Sequence, residues 1–475
     1  MELIIEKNPN VSPGSYDISV KRRPYVSQTS DFLDGRCNPR DLLEEQLDRI
    51  DGDNEVRAFC FVDAEGARKL ADESAKRWAD GKPLSALDGC AIGIKDTIDV
   101  RGMPSKQNSK IFDETPKLYD AACIYALRRA GMIPVGKTWV PELAMGALPP
   151  TRNPYDLRRT AGASSSGSGA AVGASMVAVA IGNQTGGSLI RPSSFNANYG
   201  FKPSYGALNV AGMHPLAPSQ DHIGPMAGTL ADTWTTAWEI STRAGGHNGN
   251  PGFGGRSELP IPLKPTRLCR LNTSGWKEID DASRRAFERL VDMLKKSGVS
   301  VLDEDTDDDV AYLEELLLEA DSVSNDIIMY EVRWPLVSYI ETHGEDILSE
   351  AARHRLARGL EMSPADYRQA LRQRDQIRKQ VERIAMGIDG FITLASSGPA
   401  PFFEAPPDAA VEAGHHLITG SRAYLSPWSM TGGPSLSLPL MSVDGMPLGA
   451  QLMGAQGQDR RIVAIAAWLD QGCVA

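Results

Sequence analysis

The sequence has few cysteines and no long apolar run. Its six cysteines are Cys37, Cys60, Cys90, Cys123, Cys269 and Cys473. They lie far apart and form no C-x-x-C pair, which argues against a dense disulfide scaffold and against a zinc site built on paired thiolates. The longest nearly unbroken apolar stretch, residues 170–181, is too short to span a bilayer and contains Gly173 and Ser175.

An excess of basic residues is also lacking. The chain has 50 Lys and Arg against 61 Asp and Glu, a formal net charge of −11. This balance argues against a general affinity for nucleic acid or anionic lipid. The first seven residues show no basic segment followed by an apolar one, the pattern typical of a secretory signal. We therefore expect a cytoplasmic protein with no nucleic-acid partner and no membrane partner.

Patterns that bind metals are scarce. The sequence contains no H-E-x-x-H, and its only adjacent histidines are His415 and His416. Because side chains of neighbouring residues point in different directions on most backbones, this pair is a weak metal site. The sequence predicts no structural metal.

What the sequence does contain is enough apolar residues, 41% of 475, for a large buried core. Short apolar segments alternate with amphipathic ones, which predicts an α/β fold. We expect helices near residues 39–50, 64–80, 121–130 and 276–297, and strands near 90–94, 133–135, 391–394, 435–440 and 449–453. Residues 1–30 are predicted to form an N-terminal arm. No linker divides the remainder, so residues 31–475 are predicted to be one domain, with a mainly helical insertion at about 310–387.

One helix of this insertion carries a run of positive charge. Ser363 and Pro364 predict its start, as N-cap and first-turn proline. The basic residues that follow are Arg368, Arg372, Arg374, Arg378, Lys379 and Arg383. A solvated helix face explains such a run better than contact with an anionic substrate.

A stretch rich in glycine and serine, residues 161–169, admits several interpretations. It lacks the lysine of a phosphate-binding P-loop, and no buried strand precedes it as a dinucleotide site requires. A G-x-S-x-G nucleophile elbow is absent as well. Two flexible glycine turns flanking a closely packed helix remain as a purely structural alternative.

A second glycine turn ends in a serine that chemistry favours as a nucleophile. Gly186 and Gly187 let the backbone approach a ligand and align N–H groups toward a developing oxyanion, before Ser188. Lys95 follows an apolar strand, where burial would favour its neutral form and make it a base. A surface charge is the alternative for a lysine at a strand end.

These residues carry a resemblance to the amidase signature family, which extends from about residue 38 to the C-terminus. The family's lysine strand is similar to residues 87–96, and its glycine-serine block to residues 162–168. Its nucleophile loop is similar to residues 185–188, with Arg-Pro at 191–192 and Gly-Phe-Lys-Pro at 200–203. Supporting matches lie at 136–138, 141–142, 151–154 and 447–452.

The resemblance implies a fold and a reaction. The fold is a single α/β domain in which helices cover both faces of a mixed twisted sheet, with its catalytic core at about 85–205. The reaction is hydrolysis of a carboxylic amide with no cofactor and no metal.

The resemblance also implies roles for individual residues. Ser188 attacks the carbonyl, Ser164 bridges protons after a cis peptide bond, and Lys95 is the final base. The oxyanion hole consists of the N–H groups of Thr185, Gly186, Gly187 and Ser188.

Two positions depart from the family pattern. The family places an aspartate four residues before the nucleophile and an arginine two residues after it, whereas this chain has Gln184 and Ile190. Loss of one charge alone would leave the other buried and unpaired, at a cost of about 3–5 kcal/mol. Loss of both is electrostatically consistent, so we expect an active enzyme with an altered substrate preference.

A rival mechanism pairs Ser188 with His222 and Asp221. Because these two are adjacent in sequence, their side chains rarely align as base and orienting group, so this arrangement is disfavoured. A rival function is an amidotransferase A-type subunit, which releases ammonia within a multi-subunit, tRNA-dependent complex.

The sequence leaves the substrate open. Linear amides, anilides, carbamates (urethanes) and esters share this chemistry, and we expect a small-molecule substrate and consider a homodimer as the assembly. Candidate walls for an apolar substrate are Trp139, Met145, Phe402, Phe403 and Trp428, with ordinary core packing as the alternative for each.

Overall fold

The protein is built around a twelve-stranded mixed sheet. The structure is a computed structural model that describes residues 4–7, 14–17, 24–403 and 419–472, so that His415, His416 and Cys473 lie outside it. The described strands are β1 (Ile4–Glu6), β2 (Phe59–Val62), β3 (Ala91–Lys95), β4 (Ile133–Thr138), β5 (Arg152–Asn153), β6 (Asp156–Thr160), β7 (Val179–Gln184), β8 (Tyr199–Lys202), β9 (His222–Ala227), β10 (Arg267–Arg270), β11 (Ser300–Leu302), β12 (Gly390–Leu394), β13 (Ser435–Val443) and β14 (Met446–Met453). The sheet runs in the order β11-β10-β12-β14-β13-β8-β9-β7-β3-β4-β2, while β1 pairs with β13, and β5 and β6 form a separate pair.

Helices cover both faces of this sheet. The described α-helices are α1 (Thr29–Leu33), α2 (Pro39–Asp51), α3 (Ala64–Ala79), α4 (Ala122–Arg129), α5 (Ser166–Gly173), α6 (Ile190–Phe195), α7 (Leu230–Ala244), α8 (Asp281–Lys296), α9 (Asp308–Leu317), α10 (Ala320–Glu331), α11 (Arg333–His343), α12 (Glu350–Glu361), α13 (Pro364–Ala385), α14 (Ser426–Thr431) and α15 (Asp459–Asp470). Every residue of β3, β7 and β9 is buried, which requires apolar cover on both sides of the sheet. The α/β prediction and the mixed sheet are confirmed.

Capping side chains explain where several helices begin. The Asn38 side chain accepts hydrogen bonds from the N–H groups of Arg40 and Asp41, and Pro39 occupies the first turn of α2. Helix α8 begins at residue 281 rather than at 276 as predicted, because the Asp280 side chain caps it by accepting from the Ser283 N–H at 2.7 Å.

The central strands bring two distant parts of the sequence to one edge. Strands β3 and β7 are parallel neighbours, with Ile94 opposite Ile181. Parallel strands present their carboxyl ends at the same edge of a sheet. Lys95, at the end of β3, therefore lies at the edge where the chain leaves β7 toward Ser188.

Residues 308–385 are mainly helical and comprise α9 to α13. Helix α13 begins with the predicted cap, in which Ser363 and Asp366 form a reciprocal capping box. Its basic run is mostly solvated: Arg368, Arg372, Lys379 and Arg383 are exposed.

The N-terminal segment contributes a strand that the sequence pattern did not indicate. Residues 4–6 pair in parallel with residues 441–443 of β13. The Glu6 carboxylate forms an ion pair with Arg289 at 2.6 Å, which ties this strand to α8. None of the helices in the described residues is long and apolar enough to cross a membrane.

Candidate active site

Lys95 is a buried lysine at the end of a central strand. It has no solvent exposure, and its Nζ donates a hydrogen bond to the Ser164 Oγ at 2.7 Å. Burial lowers the pKa of Lys95 well below its usual value, an effect that the charge of Asp221 partly opposes. A lysine in this environment loses its proton easily, and its contact with Ser164 gives it a route for proton exchange.

Ser164 lies in the loop that enters α5, after a cis peptide bond between Ala163 and Ser164. Hydrogen bonds from two sides hold this loop. The Arg191 Nη2 donates to the Ala163 carbonyl at 2.7 Å, and the Ser166 Oγ donates to the Gly162 carbonyl at 2.6 Å. These contacts fix the position of Ser164 above Lys95.

Ser188 lies on the loop between β7 and α6. Its neighbours Gly186 and Gly187 are buried, whereas Ser188 is partly exposed. The Ser188 carbonyl accepts a hydrogen bond from the Ser165 N–H at 3.1 Å, which joins this loop to the one that carries Ser164. Both loops therefore meet above Lys95.

The glycines of the Ser188 loop permit close approach by other side chains. A Cβ at Gly187 would lie 2.7 Å from the Leu425 Cδ1, and one at Gly186 would lie 3.2 Å from the Arg422 Nη1. Within the described residues, no hydrogen bond uses the N–H groups of residues 185–188. These N–H groups are the ones that the sequence assigns to the oxyanion hole.

Asp221, which immediately precedes β9, anchors this loop. One carboxylate oxygen accepts from the Thr185 Oγ1 at 2.5 Å, and the other accepts from the N–H groups of Leu216 and Ala217 at 2.9 and 3.1 Å. Burial raises the pKa of Asp221, while these hydrogen bonds lower it. The residue thus positions the loop that carries Ser188, and its charge influences the pKa of Lys95.

His222 does not complete a triad with Asp221. Its Nδ1 donates to the Gln220 carbonyl at 2.8 Å, and its ring packs edge-on against Tyr205. Burial lowers the pKa of His222 well below its usual value. Since Asp221 binds Thr185 and two backbone N–H groups instead, the rival arrangement is not assembled.

Ser164 and Ser188 border one small cavity of about 50 Å³. Its described lining residues are Ala144, Met145, Ala163, Ser164, Gly186, Ser188, Arg191, Leu216, Asn325, Ile328, Met329, Arg355, Thr419 and Arg422. The two serines are thus placed together, with Lys95 beneath Ser164. The arrangement can activate a hydroxyl nucleophile and stabilise an oxyanion next to it.

Comparison with known proteins identifies the family of this chain. The family model described as Amidase matches residues 41–463. The chain belongs to this family. The resemblance inferred from the sequence is therefore confirmed, and the chain is an amidase-family enzyme.

Two curated relatives and one solved structure illustrate the likeness. The A-type subunit of glutamyl-tRNA(Gln) amidotransferase from Leptospira interrogans is 28% identical, with 94% of this chain and 96% of the relative covered. The corresponding protein from Salinispora arenicola is 29% identical, with 92% and 94% covered. A solved amidase structure superposes with a TM-score of 0.82 at 27% identity and covers 94% of this chain and 99% of that one.

Gln184 provides an uncharged side chain at the position where the amidase family has its aspartate. Its Oε1 accepts from the N–H groups of Leu189 and Ile190 at 3.0 and 2.9 Å, and its Nε2 donates to the Ser429 Oγ at 2.9 Å. Ile190 is buried in the apolar core. The amide of Gln184 thus holds the start of α6 without any charge.

The helical insertion covers this amidase's cavity. Asn325, Ile328 and Met329 come from α10, and Arg355 comes from α12. The sequence does not predict that the insertion borders the cavity, and it does not identify Arg355 and Arg422 as residues of the site. Neither arginine belongs to a motif, so no sequence signal marks it.

Most of the residues predicted as apolar walls of the substrate site do not line the cavity. Of the five candidates, only Met145 is among its described lining residues. Trp428 is core: it packs edge-on against Phe391, and its Nε1 donates to the Gly454 carbonyl. Phe402 and Phe403 lie over Arg159 and Arg152 instead.

No group of three or more His, Cys, Asp or Glu side chains within the described ranges is placed to hold a metal ion. The cysteines of the described chain, Cys37, Cys60, Cys90, Cys123 and Cys269, are all free thiols.

Proposed function

We propose that this protein hydrolyses a carboxylic amide through an acyl-enzyme on Ser188. The observation that carries the proposal is the hydrogen bond of 2.7 Å from the buried Lys95 Nζ to the Ser164 Oγ, beside Ser188 in one cavity. In this proposal Lys95 is the base, Ser164 transfers the proton and Ser188 is the nucleophile, and acyl transfer requires these three functions next to one another.

In the first half of the reaction, the Ser188 Oγ bonds to the carbonyl carbon while its proton passes through Ser164 to neutral Lys95. The N–H groups of residues 185–188 stabilise the negative oxygen of the tetrahedral intermediate. The carbon–nitrogen bond then breaks, and the same proton returns to the leaving nitrogen. In the second half, water gives up a proton along this route and cleaves the ester, which releases the acid and restores Ser188.

The proposed chemistry extends to carbamates, anilides and esters because each presents a carbonyl carbon with a leaving group. The test is a turnover panel of matched amides, anilides, carbamates and esters with purified protein, run with and without a chelator. Covalent labelling by a fluorophosphonate identifies the nucleophile, and a label on Ser164 or Ser168 would reject the assignment.

A second candidate function is the ammonia-releasing A-type subunit of a tRNA-dependent amidotransferase. The two relatives from Leptospira and Salinispora favour it over a stand-alone hydrolase, because both are amidotransferase subunits. Both functions use the same step at Ser188 and differ in the fate of ammonia and in the presence of partner chains. Tagged protein isolated from its own cells decides: stoichiometric partner chains and glutamine-dependent amidation of charged tRNA support the amidotransferase, and full amide turnover by the isolated chain supports the hydrolase.

A further inference from the structure

One wall of the cavity beside Ser188 comes from residues 141–146, which follow β4 and are called the wall loop below. Ala144 and Met145 of this loop line the cavity. Leu143 and Ala144 have φ angles of 50° and 64°, in the left-handed region that favours glycine. Other residue types keep this conformation only where neighbouring contacts enforce it.

Glu142 holds the wall loop together. Its N–H donates to the Ala147 carbonyl at 2.8 Å, and its carbonyl accepts from the N–H groups of Met145 and Gly146 at 2.9 and 2.6 Å. A Cβ at Gly146 would lie 2.3 Å from the Glu142 Oε2, so the glycine leaves room for the carboxylate. Glu142 is 4% exposed, and its own loop encloses one side of the carboxylate.

The other side of the Glu142 carboxylate faces the start of α12. Its two oxygens accept from the Ser349 N–H at 3.2 and 3.1 Å. Ser349 is the N-cap residue of α12, and its Oγ accepts from the Ala352 N–H at 3.4 Å. In a capping box, the third helical residue returns a side-chain oxygen to the N-cap N–H. Ala352 holds that position here and has no such oxygen, so Glu142 supplies it from another part of the chain.

Helix α13 shows the local form of the same cap. The Ser363 N–H donates to the Asp366 Oδ2 at 2.9 Å, and the Ser363 Oγ accepts from the Asp366 N–H at 3.3 Å. Asp366 is exposed, whereas Ala352 is buried in an apolar cluster. A carboxylate in place of Ala352 would lose its hydration there. The cap of α12 is therefore divided between two segments, and this division links them.

We propose that Glu142 is a positioning residue for substrate binding, because its carboxylate completes the cap of α12 and so fixes this helix against the wall loop. Both partners of the contact border the cavity, since α12 carries Arg355 and the wall loop carries Ala144 and Met145. The inference rests on the proposed amide hydrolysis and adds a determinant of how the substrate fits.

The contact differs in kind from the packing around it. Leu143 and Met145 of the wall loop share one apolar cluster with Leu348 and Leu356 at the start of α12. Apolar packing is not directional, whereas a hydrogen bond fixes both a distance and an angle. Glu142 is not among the described residues that line the cavity, so its loss should change KM rather than kcat.

Hydrogen exchange tests the cap without reference to catalysis. Glu142→Met keeps the length of the side chain and removes both acceptor oxygens, so exchange at the N–H groups of residues 352–356 should become about 2- to 30-fold faster, the range for loss of an N-cap. Glu142→Gln keeps one acceptor oxygen and should restore most of the protection. The matched control, Asp366→Ala, should accelerate exchange only at the start of α13. Unchanged exchange in Glu142→Met would overturn the inference.

Steady-state kinetics test the positioning role, with propionamide and benzamide in the substrate panel. For each amide that the native enzyme hydrolyses, Glu142→Met should raise KM about 3- to 10-fold and change kcat less than twofold. Glu142→Gln should return KM most of the way to the native value, and Asp366→Ala should leave both constants unchanged. An unchanged KM together with faster exchange in α12 would reject the positioning role, and so would a fall in kcat alone.

A shorter acid provides the second variant if Glu142→Met fails to fold. Glu142→Asp keeps the charge but lacks one methylene, so its carboxylate should not reach the Ser349 N–H. We expect the same two changes, faster exchange at the start of α12 and a higher KM. Native exchange and native KM in Glu142→Asp would overturn the inference.

Fluorophosphonate labelling separates this inference from the proposed reaction, because it requires no amide turnover. The Ser188 Oγ bonds to phosphorus, fluoride leaves, and the hydroxyl proton passes through Ser164 to Lys95. If no amide is hydrolysed but the half-saturating label concentration rises about 3- to 10-fold in Glu142→Met, the hydrolase proposal fails and the positioning role stands. If amides are hydrolysed and Glu142→Met matches the native enzyme in KM, the positioning role fails and the hydrolase stands. Absence of both turnover and labelling in the native protein would reject both.

Discussion

The cavity beside Ser164 and Ser188 has a floor and a roof that are built in different ways. The floor, Lys95, Ser164 and Ser188, lies at the carboxyl ends of β3 and β7 and on the loop that enters α5. The roof, Asn325, Arg355 and Arg422, comes from α10, α12 and the segment before α14. Strand pairing and short loops fix the floor, whereas the packing of helices from a separate part of the chain fixes the roof.

From this difference we expect the floor to determine the reaction and the roof to determine the choice of substrate. The Lys95 Nζ donates to the Ser164 Oγ at 2.7 Å, and the Ser188 carbonyl accepts from the neighbouring Ser165 N–H at 3.1 Å, so we expect a change in the floor to disturb the reaction itself. Roof residues border the space that the substrate would occupy. Changes to the floor should therefore lower kcat, and changes to the roof should mainly alter KM.

The largest effect is expected at Ser188, the proposed nucleophile. Ser188→Ala removes the atom that forms the acyl-enzyme, so kcat for amides should fall by about 10⁴-fold or more, while the melting temperature stays within a few degrees. Ammonia release and thermal unfolding measure the two quantities. Ser338→Ala, an exposed position on α11, is the matched control and should retain full activity. Loss of less than tenfold would mean that Ser188 does not attack the substrate.

Lys95→Ala should have the next largest effect, about 10³-fold on amides, within the range of general acid–base catalysis. An amide nitrogen must be protonated to leave, whereas an activated phenolate departs with less help. The loss should therefore be much smaller for a matched aryl ester. An equal loss on both substrates would show that Lys95 does not protonate the leaving group.

The pH dependence of kcat/KM tests the role of Lys95 as a base independently. Burial lowers the pKa of Lys95, and only its neutral form accepts a proton. In the native enzyme, kcat/KM should therefore fall as the pH drops below the folded pKa of Lys95, and this acid limb should be absent from the residual ester activity of Lys95→Ala. An acid limb that survives the substitution belongs to another group.

Gln184→Asp should produce an intermediate effect on the floor through stability. It places a negative charge in a buried position beside Leu189 and Ile190, which should lower the free energy of unfolding by about 1–3 kcal/mol. Ile190→Arg, added to it, should recover part of this loss. Urea denaturation of the four proteins in the cycle measures the coupling, and a value below about 0.5 kcal/mol would mean that the two side chains do not interact.

The smallest effect is expected in the roof. Asn325→Ala removes one hydrogen bond to Arg422, so KM for the preferred substrate should rise about 2- to 10-fold while kcat changes less than about twofold. A drop in kcat without a change in KM would contradict the division between floor and roof.

The floor can be predicted from the sequence better than the roof, because local motifs define the floor and long-range helix packing defines the roof. Ser188 and Lys95 follow apolar strands and lie within contiguous motifs, so the local pattern identifies both. Their proximity follows from the parallel pairing of β3 with β7, which the fold class implies. The roof depends on helix packing between segments far apart in the chain, and no local pattern encodes that packing.

The charge or apolarity of a residue does not predict whether its side chain lines the roof of the cavity. The basic run on α13 is largely solvated, whereas Arg355 lies on α12 among other basic residues and lines the cavity. Trp428 is predicted to form a wall for an apolar substrate, but its side chain is buried in the core. In each case the side chain's direction is set by tertiary packing, which residue type alone does not reveal.

Gln184 bears on how this loop can change by mutation. A pair of opposite buried charges must be replaced together, since either single loss strands the other charge. Gln184 instead holds the N–H groups of Leu189 and Ile190, which every residue type but proline supplies. Position 190 therefore needs no electrostatic partner and is constrained by the volume and apolar character of its buried side chain. Single apolar substitutions there keep the backbone hydrogen bonds to Gln184, so the sequence of this loop can change one residue at a time while Ser188 keeps its position.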